Sequence, residues 1–163
     1  MVRISPFRRA TTTIKGKLVP RFSKTSLSKL ETCHPVLQDL MHEVIRFFDI
    51  KVIEGYRSNE RQESLYFAGK SKIKNNGKHN RTKDGQPCSE AVDVLFCPFV
   101  RGDWERKDKF ERMAGYVLAT FDQMQSDGRI SSDWVLVSGS DWDDDITTDQ
   151  WFDGPHFEIR EKK

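Results

Sequence analysis

The chain has 163 residues, one domain's worth of polypeptide on the usual scale of about 100–200 residues per domain. Hydrophobic residues make up 36% of it and charged residues 32%, enough apolar material for a core beneath a very polar surface, which excludes collagen-like, coiled-coil and wholly disordered chains. The formal net charge of +2 conceals an asymmetry: residues 1–24 carry seven cations and no acid, a local +7 that leaves −5 for residues 25–163.

The basic segment comes first. Residues 1–22 read as an arm on a mildly acidic body, either a solvated terminus or an electrostatic tether to an anionic polymer or surface. From about Thr32 a helix is expected. Pro35 suits its first turn, and Val36, Leu37, Leu40, Met41, Val44, Ile45 and Phe48 recur at spacings of three and four until Asp49 ends it. Ile50 to Tyr56 has the alternation and β-branching of a strand. Ser58 is placed to N-cap a short helix through Ala68, closed by Gly69. Lys70 to Glu90 has no periodicity and reads mostly as loop, Ala91 to Cys97 as a buried strand. Residues 105–125 carry Phe110, Met113, Ala114, Val117, Leu118 and Phe121 on one helical face. Trp134 to Val137 reads as a strand, Asp141 to Asp149 as an acidic loop and His156 to Ile159 as a last short strand. This order predicts a small α+β domain over residues 23–163, a mainly antiparallel sheet flanked by helices.

Nothing in the sequence resembles a membrane span or a secretory leader, so the cytoplasm is the expected place of accumulation. Cys33, Cys88 and Cys97 are odd in number and form no C-x-x-C pair, so free thiols are expected. The chain shows no nucleic-acid-binding motif and no oligomerisation signal, and a monomer is the default.

Four histidines are present. His34, beside a proline, and His42, on the polar side of its helix, suit capping or solvated roles. His79 lies in the polar loop before the strand that contains Asp93, and His156 opens the last strand. Two imidazoles and a carboxylate can hold zinc with three protein ligands and leave a fourth position open, as catalysis requires, although separate surface histidines are common. Asp93 also interrupts an apolar run, where a carboxylate needs a cation or strong donors.

Tyr56-Arg57-Ser58 with Gln62, His79 followed by Ala91-Val92-Asp93, and Asp153-Gly154-Pro155-His156-Phe157-Glu158 resemble the zinc D-Ala-D-Ala carboxypeptidase superfamily, in particular its phage L-alanyl-D-glutamate endopeptidases, the endolysins. Ser26 to Leu37, with its His34-Pro35 pair, is similar to the amino-terminal part of that group. The resemblance covers roughly residues 23–160 in order. It implies that His79, Asp93 and His156 bind Zn2+, that Asp153 is the catalytic carboxylate and that Arg57 stabilises the developing oxyanion. The implied substrate is peptidoglycan, reached from the host cytoplasm through a holin, with the basic arm attracted to the anionic envelope. The alternatives are a D-Ala-D-Ala carboxypeptidase or dipeptidase of the same superfamily, whose Glu this chain replaces by Asp153, and an inactive peptidoglycan-binding module.

The family pattern Ser-x-His-x-x-Gly-x-Ala-x-Asp is interrupted here. His79 and Asp93 stand 14 residues apart, Gly77 replaces the serine and Ser89 the glycine. The surplus, with Asp84-Gly85 and Pro87, reads as an inserted surface turn, which chain-closure entropy tolerates. Asp84 is the fallback oxygen ligand should the insertion displace His79. Asp141, Asp143, Asp145 and Thr147 place oxygens at alternate positions like the first half of a calcium loop, so Ca2+ is a candidate regulator, with a solvated acidic loop as the alternative. Glu158 is either a hydrogen-bond partner behind His156 or an outward strand residue.

Overall fold

The computed structural model describes residues 12–14, 17–142 and 152–162. Within the basic arm, β1 (Thr12–Ile14) and β2 (Lys17–Val19) pair antiparallel, an element that the sequence reading does not anticipate. A short helix, α1 (Lys24–Leu30), follows and is likewise unanticipated; the Ser23 hydroxyl caps it by accepting from Ser26 N at 3.1 Å. In α2 (Pro35–Val44) the proline occupies the first turn, and the His34 ring accepts from Val36 N, the capping role expected of it. His42 is exposed, also as expected. The helix stops at Val44, short of the expected Asp49, where the amides of Arg46 and Phe47 bond three residues back, to the Glu43 and Val44 carbonyls, in a tighter turn.

The sheet has four antiparallel strands, β3 (Ile50–Glu54), β6 (Ala91–Phe96), β7 (Trp134–Ser138) and β8 (His156–Glu161), in the order β3-β6-β8-β7. Between β3 and β6 lie α3 (Asn59–Phe67), capped by Ser58 as expected, and a tight hairpin of β4 (Thr82–Lys83) and β5 (Gln86–Pro87). The long helix α4 (Lys107–Ser126) packs on α2 and on one face of the sheet. Leu37, Leu40, Met41 and Val44 of α2, Phe110, Met113, Val117 and Phe121 of α4, Val92 and Val94 of β6, and Phe157 and Ile159 of β8 make the core between them. No helix among the described residues is long and apolar enough to cross a membrane.

The division of labour within the sheet follows from its alternation of faces. Phe157 and Ile159 turn inward to the helices, so His156, Glu158 and Arg160 share the opposite face. On β6 the same rule puts Asp93 opposite the core face of Val92 and Val94, and the register pairs Asp93 directly with His156. Helices α2 and α4 therefore cover one side of the sheet, and Asp93 and His156 lie on the other.

Candidate active site

A groove of about 940 Å³ runs over that second face, with Arg57, Gln62, His79, Asp93, Asp153 and His156 among its lining residues. His79 Nε2, Asp93 Oδ1 and His156 Nδ1 converge on its floor: His79 to Asp93 is 3.2 Å, His156 to Asp93 3.0 Å and the two ring nitrogens 3.3 Å apart. These three are the group of potential ligands found among the described residues. Donors about 2.0–2.1 Å from a tetrahedral zinc lie about 3.3 Å from one another, so the triangle has the edge length that such an ion demands.

Each imidazole is turned toward the centre by a bond made on its far side. His79 Nδ1 lies 2.7 Å from the Gly55 carbonyl, an acceptor only, so Nδ1 carries a proton and Nε2 is the nitrogen directed at the centre. His156 is the mirror case. Its Nε2 lies 3.1 Å from Glu158 Oε2, which leaves Nδ1 facing the centre. Glu158 is in turn held by Arg160 Nε at 2.7 Å. Glu158 thus stands behind His156 as a hydrogen-bond partner, the first of the two roles considered for it. Such supporting bonds fix ring orientation and raise ligand basicity.

The charges of the site follow from this packing. Burial disfavours ionisation of Asp93, but His79 and His156 outweigh it and hold its carboxyl far below the usual carboxylate range. Burial likewise opposes a charge on His156, yet its bonds to Asp93 and Glu158 push its pKa up to about 9. Asp153, half-buried on the segment leading into β8, is pushed above the ordinary carboxylate range by burial and by the neighbouring Asp93 charge. Arg57 Nη2 lies 3.4 Å from Asp93 Oδ2, the carboxylate oxygen that the histidines do not use.

His79 reaches this position despite the insertion. It sits on a single helical turn, Lys78–Asn80, whose Asn80 side chain donates to the Arg57 carbonyl at 2.6 Å, while Arg57 N donates to the His79 carbonyl at 2.9 Å. The surplus residues then leave as the β4–β5 hairpin. Asp84 and Gly85 both have positive φ, 52° and 76°, the conformation a two-residue type I′ turn requires. The chain closes again where Glu90 N donates to the Lys78 carbonyl at 2.9 Å and Lys78 Nζ meets Glu90 Oε2 at 2.5 Å. Residues 81–87 are all exposed, so Asp84 stands at the tip of the hairpin and takes no part in the site.

Among the other expected positions, Asp141 lines the groove, and its backbone amide donates to the Ser138 carbonyl at 3.1 Å. Asp143, Asp145 and Thr147 lie outside the described residues, and so does any calcium arrangement they would form. Of the three cysteines, Cys33 is buried and Cys88 and Cys97 are half-buried. Gln62, which entered the sequence reading only as part of a resemblance, is buried against Arg57.

Comparison with known proteins agrees with this geometry. No curated protein sequence shows significant similarity to the chain. Among solved structures, the L-Ala D-Glu endopeptidase ChiX of Serratia marcescens matches with a TM-score of 0.61 and 25% identity, over 87% of this chain and 91% of that one. The family model for phage L-alanyl-D-glutamate peptidases matches residues 18–160, which takes in every residue of the groove described above, and the chain belongs to that family.

Proposed function

We propose that the protein is a zinc-dependent endolysin that hydrolyses the L-alanyl-D-glutamate bond of peptidoglycan stem peptides at the end of a phage infection. Family membership supports the peptidase class and the bond. The zinc requirement rests on one observation: two imidazole nitrogens and a carboxylate oxygen converge at 3.0–3.3 Å, and each ring is held from behind by its own partner.

Zinc held by His79, Asp93 and His156 supplies a Lewis acid that polarises the scissile carbonyl and makes water a better nucleophile. The chain's own residues supply the rest. The Asp153 carboxyl, raised by burial and by Asp93, is suited to take a proton from the attacking water and hand it to the departing amine of D-glutamate. Arg57 brings a permanent positive charge to the groove, where the carbonyl oxygen becomes negative in the transition state. Arg57 also engages the outer oxygen of Asp93, which leaves Oδ1 directed at the histidines.

In this reading the enzyme accumulates in the host cytoplasm and reaches the wall through a holin, with residues 1–22 adding electrostatic attraction to the envelope. Calcium titration of activity tests the regulatory role of Asp141, Asp143, Asp145 and Thr147. The deciding experiment is digestion of purified Gram-negative peptidoglycan, with and without chelator, and mass spectrometry of what is released. Peptides beginning at D-Glu, lost on chelation, are expected. Release of terminal D-Ala would assign the protein to the carboxypeptidase branch. No release, with zinc content near zero, would make it an inactive wall-binding module.

A further inference from the structure

Helix α3 is polar and largely solvent-facing, yet one of its residues, Gln62, is only 2% exposed. All three functions of its amide are engaged. Oε1 accepts from Arg57 Nη1 at 2.9 Å, while Nε2 donates to Ser71 Oγ at 2.8 Å and to the Ile73 carbonyl. The orientation is dictated by these partners, since the reverse would press an NH2 group against the guanidinium. Ser71 itself is tied to Ile73 through its hydroxyl and the Ile73 amide, so the far end of the tether is a closed turn.

The remaining contacts of Arg57 pull elsewhere. Its Nη2 lies 3.4 Å from Asp93 and its Nε 3.7 Å from Glu54, and Nε has no hydrogen-bond partner although buried. The one short bond on the guanidinium is therefore the neutral one, to Gln62, and it opposes two carboxylates. A buried amide that accepts on one side and donates on the other fits this place. Glutamate would keep only the accepting half, and an apolar side chain neither.

We propose that Gln62 is a positioning residue, which holds the Arg57 guanidinium toward the groove by tethering it to the 71–73 turn and keeps it from collapsing onto Glu54 and Asp93. The assignment rests on the proposed role of Arg57 at the scissile carbonyl. A misplacement of about 1 Å in such a group costs on the order of a hundredfold in rate.

The test is a double-mutant cycle on the zinc-loaded full-length protein, with kcat and KM measured on a soluble stem peptide and zinc affinity by chelator competition. Gln62→Met is expected to lower kcat about ten- to hundredfold while KM and zinc affinity stay near wild type. In the Arg57→Ala background the same substitution is expected to change nothing further. Gln62→Glu, which still accepts from Arg57 but cannot donate to the 71–73 turn, is expected to recover little of the lost kcat. Equal losses from Gln62→Met with and without Arg57, or Gln62→Glu as fast as wild type, would overturn the proposal and leave Gln62 a residue of the fold. Should Gln62→Met fail to melt cooperatively, Gln62→Asn, one methylene too short to bridge, takes its place in the cycle with the same expectations. An Arg57→Ala enzyme as fast as wild type would instead overturn the role given to Arg57.

Discussion

The two sides of the proposed metal site are held by different physics. Asp93 and His156 face each other across the β6–β8 pair, so their separation is a property of the sheet, set by a ladder that runs from Ala91↔Glu158 to Asp93↔His156. His79 has no ladder. It is placed by a handful of separate bonds, to the Gly55 carbonyl, to Arg57 and through Asn80. The strand side is robust because many bonds must fail together to move it. The loop side tolerates an insertion in sequence but depends on each of a few contacts.

Replacing any ligand gives the largest effect expected. His79→Ala, Asp93→Ala and His156→Ala should each take bound zinc from about one per chain to near zero, with loss of peptide release. Atomic absorption on purified variants checks this, and a variant that kept both zinc and activity would remove its residue from the site. Next come the glycines. A Cβ on Gly55 would lie 2.2 Å from the Lys29 carbonyl and 2.5 Å from Thr32 Oγ1, so Gly55→Ala must shift the very carbonyl that orients His79. A loss of about 1–3 kcal/mol in stability and of about 10–100-fold in zinc affinity should follow, read by thermal melting and chelator competition. On the strand side, a Cβ on Gly139 would meet the Asp153 carbonyl at 2.4 Å and His156 Cβ at 2.9 Å. If the ladder protects its ligand, Gly139→Ala should cost comparable stability but less zinc affinity than Gly55→Ala, and the reverse order would break the comparison.

Proton linkage sharpens it further. His156, raised to about 9 in the metal-free protein by its bonds to Asp93 and Glu158 against the effect of burial, must lose a proton before Nδ1 can bind a metal. Zinc affinity should therefore fall by up to about tenfold per pH unit below 9, and a flat competition titration between pH 6 and 8 would contradict this. The same shift stabilises the metal-free fold fully below the ordinary histidine value of 6.5, and that increment should be lost as pH rises through about 9. Removing the supporting carboxylate with Glu158→Ala should weaken zinc binding by about tenfold, whereas Glu158→Gln, which keeps an acceptor for Nε2–H, should recover part of it. The smallest effect belongs to the hairpin. Replacing the exposed residues 82–87 by a two-glycine turn should leave zinc affinity within about twofold and stability nearly unchanged, because closure entropy depends weakly on length. A large loss would mean that the hairpin braces His79.

What was legible in the sequence divides along similar lines. The periodic face of α4, Pro35 at the start of α2, the Ser58 cap and the apolar run of β6 are local signals, and the structure carries all of them. Asp93 was conspicuous because a carboxylate inside an apolar run needs a reason to be there. Alternation on β8 already put Glu158 on the same face as His156, but only the distance to Nε2 decided between its two roles. The seven residues of α1 are too few to show a period, and β1 and β2 are three residues each. The early end of α2 coincides with a tighter turn over residues 43–47, which apolar spacing does not reveal. The role proposed for Gln62 was out of reach because its partners lie 5, 9 and 11 residues away on two separate segments.

The direct pairing of Asp93 with His156 carries a last consequence. Side chains alternate across a strand, so slipping β6 against β8 by a single residue would send one partner to the helix side, instead of moving the two a little apart. The cavity then has no half-built form: a molecule either brings both groups to the floor of the groove or presents a hydrophobic residue where one should be. Catalytic output per mole of total protein in excess zinc should consequently report the fraction of chains correctly zipped, and a refolded preparation with reduced activity should be a mixture of fully competent and wholly inert molecules, separable in principle by zinc affinity.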